Sequence, residues 1–335
     1  FGGEPLLEFE LIKKLVRYAE QKATYYGKEI HFSATTNCVL VNDEVIRFFR
    51  QHKIGFHTSI DGGSESHDKH RPFPDGRGTL AIIEPKIKKI LKYRPETAAR
   101  MTVCNDTVHR WFDDVLYLVK LGYKNLPMIP AAENDWTEEQ WGFVQRELRK
   151  ISDFYIERLR VGNPIYIKHI NDILRSITNP SRRTYHCGAG RGYLSVKTDG
   201  AIYPCSRFGD SSDNSLRDQW YLGSVFDGID HKKRKVFLNF NCASQTKADC
   251  ENCLAANTCS ISCIALNWSC FKDIYKPHPN SCRFKKLCFI EAVRIHYILE
   301  SEKNPLFIKK FYSKRKQSRN TVHNVDGTQS QQYGT

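Results

Sequence analysis

Apolar residues recur at helical spacing over Leu6–Lys22, where Leu11, Ile12, Leu15, Val16 and Ala19 share one face. A short strand is predicted at Glu29–Thr36. A helix follows at Asn42–His52, with Asp43 and Glu44 at its start, where carboxylates suit the helix dipole. The pattern continues with a strand at Gly55–Asp61, a helix over Leu80–Tyr93 that tolerates Pro85, and a strand at Ala98–Cys104. Then come a helix at Val108–Leu121, a strand at Asn125–Pro130 and a long helix at Thr137–Tyr155. Thr137 and Gln140 offer that last helix a capping box. Alternating strands and helices imply parallel pairing, hence an α/β barrel or open sheet.

The second half reads differently. Long periodic helices stop after Arg182 and resume only at Arg283–Leu299, and ten of the 12 cysteines lie between Cys187 and Cys288. A boundary is therefore expected near residues 175–186. A length of 335 residues suits two domains, and 40% hydrophobic with 26% charged residues can bury a core. No apolar run approaches the roughly 18–20 residues that span a bilayer. Phe1-Gly2-Gly3-Glu4-Pro5 does not read as a signal peptide, and the sequence is expected to be part of a longer chain.

The net charge of +14 is uneven. Lys303–Thr335 holds seven Lys/Arg against one Asp. Such a run suits an anionic surface or nucleic acid. Its polar, anchor-poor composition suits a solvated, disordered tail over 303–335, which is the expectation adopted.

The strongest chemical signal is Cys250-x2-Cys253-x5-Cys259-x3-Cys263, followed by Cys282 and preceded by Cys187 and Cys205. Short spacings let thiolates converge on one centre. Thr198-Asp199-Gly200-Ala201 predicts a two-residue type I′ hairpin turn, which would set Cys205 opposite Leu194. Three readings stay open on spacing alone. They are a zinc site at Cys250, Cys253, Cys259 and Cys263, iron–sulfur clusters, and disulfides, the last needing an oxidising compartment. Cys38 and Cys104 are expected to be buried free cysteines.

Several motifs occur in a telling order. Phe1-Gly2-Gly3-Glu4-Pro5, Ser59-Ile60-Asp61-Gly62, His67-Asp68-Lys69-His70-Arg71 and Asp75-Gly76-Arg77-Gly78-Thr79 together resemble the core of radical S-adenosylmethionine (SAM) enzymes. Cys187-Gly188-Ala189-Gly190, Asp199–Cys205 and the downstream cysteines resemble the SPASM domain of peptide maturases and anaerobic sulfatase-maturating enzymes.

The resemblance implies a partial (β/α)6, TIM-like barrel over 1–175 and a small Cys-rich SPASM domain with auxiliary [4Fe–4S] clusters over 183–290. It places Gly2, Gly3 and Glu4 at the methionine part of SAM, Ser59 at its ribose or carboxylate, Arg71 at its carboxylate and Leu126 beside its adenine. Asp61 joins this cofactor set. It gives Cys250, Cys253, Cys259 and Cys282 to one cluster and Cys187, Cys205 and Cys263 to the other, with Cys242 or Cys270 as the extra ligand. Failing those, one iron stays open for a substrate thiolate.

The departures carry weight. The Cys-x3-Cys-x2-Cys motif that holds the SAM-cleaving cluster in the family is not in these residues, so this stretch alone is not expected to cleave SAM. Sulfatase-maturating members carry an Asp, implicated in proton removal, directly after the Tyr-Pro-Cys cysteine; here Ser206 stands there. The resulting expectation is a maturase forming a thioether or carbon–carbon crosslink in a ribosomally made, Cys-containing precursor peptide. The alternatives are formylglycine formation in a sulfatase and a non-catalytic zinc or nucleic-acid-binding module. A flavodoxin or ferredoxin electron donor, no membrane, no nucleic acid and an anaerobic, cytoplasmic setting complete the expectation.

Overall fold

The computed structural model describes residues 2–179, 187–210, 214–240, 248–259 and 263–313. Two hydrophobic cores organise them.

The first core surrounds a parallel sheet. After a short 3-10 turn at Pro5–Glu8, the chain runs through α1 (Phe9–Tyr25), β1 (Ser33–Thr36), α2 (Asp43–Gln51), β2 (Gly55–Ser59), α3 (Ser64–His70), α4 (Leu80–Tyr93) and β3 (Ala98–Val103). It continues with α5 (Trp111–Leu121), β4 (Asn125–Leu126), β5 (Met128–Pro130), α6 (Glu138–Arg160), β6 (Tyr166–Ile167) and α7 (Lys168–Thr178). The strands order as β1-β2-β3-β4-β6, all parallel, with β5 also on β3. The single strand expected at Asn125–Pro130 is two, because Pro127 has no N–H to give the ladder and only its carbonyl is used, by Met101 N at 3.1 Å. Thr137 and Gln140 form both bonds of the capping box.

The sheet has one oily and one polar face. Strands alternate in direction residue by residue. Phe56 and Thr58 on β2 and Met101 and Val103 on β3 are buried, whereas Ser59, Arg100 and Thr102 are half-buried and His57 is exposed. Closed TIM barrels fill their interior with bulky aliphatic side chains. Here the inner face is lined by Thr35, His57, Ser59, Arg100 and Thr102.

The second core is smaller and aromatic, built from Phe208, Trp220, Phe237, Phe240 and their neighbours. Its strands β7 (Ser195–Val196), β8 (Ala201–Tyr203), β9 (Gly223–Ser224) and β10 (Gly228–Ile229) form an antiparallel sheet. Short helices α8 (Ser206–Gly209), α9 (Asn214–Trp220), α10 (His231–Leu238), α11 (Ala248–Glu251) and α12 (Ile264–Phe271) surround it.

The β7–β8 hairpin corrects the expected register by one residue. Ser195 pairs with Tyr203 and Val196 with Ile202, and the loop is closed by Lys197 N to Ala201 O at 2.9 Å. Type I′ geometry needs positive φ at both Asp199 and Gly200, and only Gly200 has it (+86°). The turn is therefore a three-residue loop with Gly in the left-handed position. Extending this register sets Cys205 level with Tyr193, not Leu194.

The expected domain limits also shift. Helix α13 (Pro279–Ser301) leaves the Cys-rich part and packs on α6 and α7, burying Phe284, Cys288, Ala292, Ile295 and Leu299 in the first core. The residues from 279 onward thus belong structurally with the sheet. Nor is the stretch after Lys303 a free tail throughout: α14 (Pro305–Phe311) buries Phe307 and Phe311. Lys310 lies within 5.8 Å of the Tyr155 ring and 5.7 Å of the Tyr166 ring, and burial brings its pKa down to about 8. The remainder of the basic run, from Lys314, lies outside the described residues. Among the described residues, no helix is long and apolar enough to cross a membrane.

Candidate active site and cysteine groups

A cavity of about 540 Å³ opens at the C-terminal ends of β1, β2 and β3. Parallel α/β sheets place ligands at this edge, where loops leave the strands. Its lining comes from four directions: Gly2, Gly3 and Glu4; Thr35, Thr36 and Asn37 after β1; Ser59, Arg100 and Thr102 from β2 and β3; and Arg71 after α3. Asp210, at the end of α8, reaches it from the second core.

Each group is held by a local cause. Gly2 and Gly3 have φ of +123° and +48°, a backbone that L side chains rarely adopt, so the chain can turn its peptide groups toward the cavity. Glu4 is fixed by three hydrogen bonds: its Oε1 accepts from Leu6 N (3.1 Å) and Thr36 Oγ1 (2.8 Å), its Oε2 from Asn37 N (2.8 Å). These bonds staple the Gly-Gly-Glu segment to the end of β1.

Arg71 is set by Asp61. The Arg71 Nε and Nη2 donate to the Asp61 carboxylate at 2.6 and 3.1 Å, and Thr102 N donates to Asp61 Oδ1 at 2.8 Å. Asp61, 3% exposed, does not line the cavity; both its oxygens are committed to the chain. Its place in this structure is to hold Arg71 and the end of β3 at Thr102 rather than to face the cavity. His67 completes the mount. Asp61 N donates to its Nδ1 (3.3 Å), its Nε2 donates to Thr79 Oγ1 (3.0 Å), and Thr79 donates to the Arg71 carbonyl (2.7 Å). This chain requires a neutral imidazole, and burial lowers the His67 pKa to about 4.

Leu126 is 0% exposed, pairs with Ile167 and packs in the first hydrophobic core, and it is not among the residues lining this cavity. The inner rim is instead cationic. Burial and the nearby Arg207 and Arg71 charges depress the Arg100 pKa. Lys197 engages Asp210 Oδ1, and Arg207 reaches Glu133 at 3.9 Å.

The cysteines fall into two groups. Burial, then the charges of Cys259, Cys250 and Cys253, push the Cys282 thiol up to about 11. Burial, with Cys263 and Cys187, pushes Cys205 up to about 11 as well. Cys263 therefore sits with Cys187 and Cys205, apart from Cys250, Cys253 and Cys259. That grouping counts against the zinc reading at Cys250, Cys253, Cys259 and Cys263, one of the three that spacing left open. Tetrahedral zinc with bonds of about 2.3 Å needs sulfurs roughly 3.8 Å apart. Among the described residues, the only trio of ligand atoms within 4.8 Å of one another is His70, Cys104 and Asp106. The two groups therefore fit a body wider than one ion. Mutually repelling thiolates call for a positive centre to release their protons. None of the eleven described cysteines is in a disulfide, and Cys38 and Cys104 are buried. Cys270 is exposed, and Cys242 lies outside the described residues.

Thr36, Asn37, Arg100, Thr102 and Asp210 belong to none of the sequence motifs, and His67 stood in one without a role. The alternation of Arg100 and Thr102 with Met101 and Val103 was the available signal for two of them. Asp210 had none, since only the packing of the two cores brings it to the cavity.

No family model matches the chain. It is 23% identical over 278 residues to a cysteine-type anaerobic sulfatase-maturating enzyme of Clostridium novyi (strain NT), covering 78% of this chain and 71% of that protein. It is 23% identical, also over 278 residues, to a serine-type anaerobic sulfatase-maturating enzyme of Klebsiella pneumoniae, covering 79% and 67%. Its fold is that of native anSMEcpe with bound AdoMet, with a TM-score of 0.73, 21% identity and 90% and 84% of the two chains covered. The same protein with AdoMet and the Cp18Cys peptide superposes with a TM-score of 0.71, 21% identity and coverage of 90% and 85%.

Proposed function

We propose that this chain is the SAM-binding and cluster-bearing part of a radical SAM maturase that oxidises a Cys or Ser side chain of a polypeptide to formylglycine. The observation that carries the reading is the polar cavity: a SAM-sized hollow, built where the sulfatase-maturating relatives align, and overlooked by the cysteine-rich half. When bound, SAM and its clusters supply a carbon radical that removes a hydrogen atom and a path for the surplus electron.

The chain's own residues then do three things. The Gly2-Gly3 backbone and Ser59 present hydrogen-bonding groups toward a polar ligand. The Nη1 of Arg71, whose other two nitrogens are turned to Asp61 and Thr102, offers a donor for a carboxylate. Asp210 supplies a carboxylate at the side of the cavity facing the second core. Its Oδ1 is held by Lys197, and its Oδ2 has no partner among the described residues. It is the acceptor for the proton that a substrate S–H or O–H must give up once the adjacent carbon is oxidised.

The presence of Ser206 favoured a crosslinking maturase in the sequence. The structure weakens that preference, because a carboxylate four residues later returns to the cavity by one turn of α8. Cys187, Cys205, Cys263 and Cys250, Cys253, Cys259, Cys282 are the ligands proposed for two SPASM iron–sulfur clusters.

The test uses protein made from the complete reading frame, reconstituted anaerobically and given SAM, a reductant and the Cp18Cys peptide. Loss of the peptide's sulfur with appearance of a hydrazide-reactive aldehyde is the expected outcome. Retention of sulfur with loss of two hydrogens identifies the crosslinking chemistry instead. An unaltered peptide, with SAM demonstrably bound, overturns both.

A further inference from the structure

The three-thiol group of the second core lacks a fourth sulfur in the described structure, and a phenol stands in its midst. The Tyr193 hydroxyl donates to Cys187 Sγ at 3.6 Å. The charges of Cys187, Cys205 and Cys263 all act on it. The backbone explains why. Two residues before the Ser195–Tyr203 pair of the hairpin, Tyr193 comes level with Cys205 on the same side of the sheet. Gly190 N ties that point down, donating to Tyr193 O (3.0 Å) and to Pro204 O (2.9 Å). The Cys187–Tyr193 loop closes on itself through Tyr193 N to Gly188 O at 3.2 Å. Cys187, Tyr193 and Cys205 are therefore fixed around one point by the hairpin itself, and Cys263, at the start of α12, meets them there.

Of the two sulfurs expected to complete the set, Cys270 does not come close: it is exposed near the end of α12, about 10 Å along that helix from Cys263. Cys242 lies outside the described residues, and among the described residues Tyr193 is the group that stands with the three thiols.

We propose that Tyr193 is the fourth protein ligand of the Cys187/Cys205/Cys263 iron–sulfur cluster, bound through its phenolate oxygen. This rests on the cluster reading above and goes beyond it, because it closes the iron that three cysteines alone leave open. On metal binding the phenol O–H bond breaks, the proton leaves to solvent, and an oxygen lone pair forms the Fe–O bond; no oxidation state changes. Tyrosinate is an established iron ligand in proteins. Ligand identity is a main lever on cluster potential, so an oxygen ligand gives this cluster a potential unlike that of the four-thiolate group at Cys250, Cys253, Cys259 and Cys282. A closed site also cannot take a substrate thiolate, so this cluster would act by electron transfer.

The experiment is spectroscopy on the full chain reconstituted anaerobically with iron and sulfide, comparing native protein with Tyr193→Phe and Tyr193→Cys. In the native protein, resonance Raman excitation in the visible band is expected to enhance phenolate ring modes that shift with ring-deuterated tyrosine. Both variants are expected to lose them. Added cyanide is expected to change the electron paramagnetic resonance signal of Tyr193→Phe, whose iron is open, and to leave native protein and Tyr193→Cys unchanged. Tyr193→Cys keeps the assignment falsifiable if Tyr193→Phe fails to hold the cluster: a ligand cysteine restores full iron, whereas loss of a merely structural ring leaves both variants equally depleted. Iron-loaded native protein without phenolate modes, or native protein that responds to cyanide as Tyr193→Phe does, overturns the assignment alone. A native chain that takes up no iron and sulfide overturns the cluster reading and this assignment together.

Discussion

The two cores of this molecule are held together by different means. The first has helices and three strands, β1–β3, long enough to show a period, and it buries aliphatic side chains such as Ile83, Ile87, Ile90, Val115 and Leu118 at 0% exposure. The second has strands of two or three residues and depends on packed rings: Phe208 against Trp220 (5.6 Å) and Phe237 (5.9 Å), Trp220 against Trp268 (5.1 Å), Phe240 stacked on Tyr275 (4.7 Å). Small cores need an additional constraint, commonly a metal. The lesson of the comparison is that the sheet half has hydrophobic burial enough to stand on, while the cysteine half has a small aromatic core and, on the function proposed above, leans on clusters held by its thiols.

The largest test of that contrast is iron removal. Stripping iron from reconstituted protein with an anaerobic chelator is expected to release amide protection across 187–275 while β1–β3 and α13 keep theirs. Hydrogen exchange read by mass spectrometry distinguishes this from uniform loosening, which would erase the contrast. At the cavity, Asp210→Asn is expected to lower kcat by about 10²–10³-fold, the usual scale for a general acid–base group, without weakening SAM binding measured by equilibrium dialysis. A kcat within about twofold of native would remove Asp210 from the chemistry.

Core truncations probe the comparison next. Phe208→Ala is expected to cost about 3–5 kcal/mol, and Ile87→Ala about 2–5 kcal/mol. Followed by hydrogen exchange, the first is expected to open only the second core and the second the sheet. If both variants open the same residues, the two halves are one cooperative unit.

A smaller effect is titratable. His67 is held neutral, its folded pKa of about 4 lying below its usual value of 6.5. The unfolded chain therefore takes up a proton first as pH falls, so the stabilisation is complete above about 6.5 and is lost progressively down to about 4. The scale is about 3 kcal/mol. Asp114 runs the other way. Burial lifts it to about 6, although Ser66 and Gly63 hydrogen-bond to it, so its contribution is full below its usual 3.8 and fades as pH rises through 6. Chemical denaturation of native, His67→Gln and Asp114→Asn proteins across pH 4–7 separates the two slopes. An unchanged slope in His67→Gln would exclude the neutral-imidazole mount. The smallest expected effect is Asn280→Ala, about 1 kcal/mol. It removes the Asn280 Nδ2 bonds to Ala132 O (2.9 Å) and Asn134 O (3.0 Å) that tether α13 to the loop after β5, and a shift in midpoint of thermal unfolding reads it.

Much of the first half was legible because its determinants are local. Leu80–Tyr93 has the expected ends, Asn42 and Thr137 cap their helices by side-chain bonds to Val45 N and Gln140 N, and the strands fall within the apolar runs. Helix α7 and strand β6 were missed because two residues of strand carry no period, and α7 owes its position to packing against α13. The hairpin at Asp199-Gly200 was visible, yet its register turned on a single backbone angle that the dipeptide does not reveal.

The candidate site divides the same way. Gly2-Gly3-Glu4, Ser59 and Arg71 could be read because each is an ordered motif within a few residues. Asp61 and Leu126, expected at the ligand, are buried away from the cavity lining, since burial on either side of a strand depends on what packs there.

The order of amino acids alone settled that parallel strands alternate with helices, that thiols are concentrated after residue 186, and that no long apolar span exists, because these follow from period, spacing and composition. That Tyr193 stands among Cys187, Cys205 and Cys263, and that Asp210 faces a cavity built some 150 residues earlier, were decided only when the chain folded. Those are distances between segments far apart along the backbone, set by how two cores pack, and no local pattern encodes them.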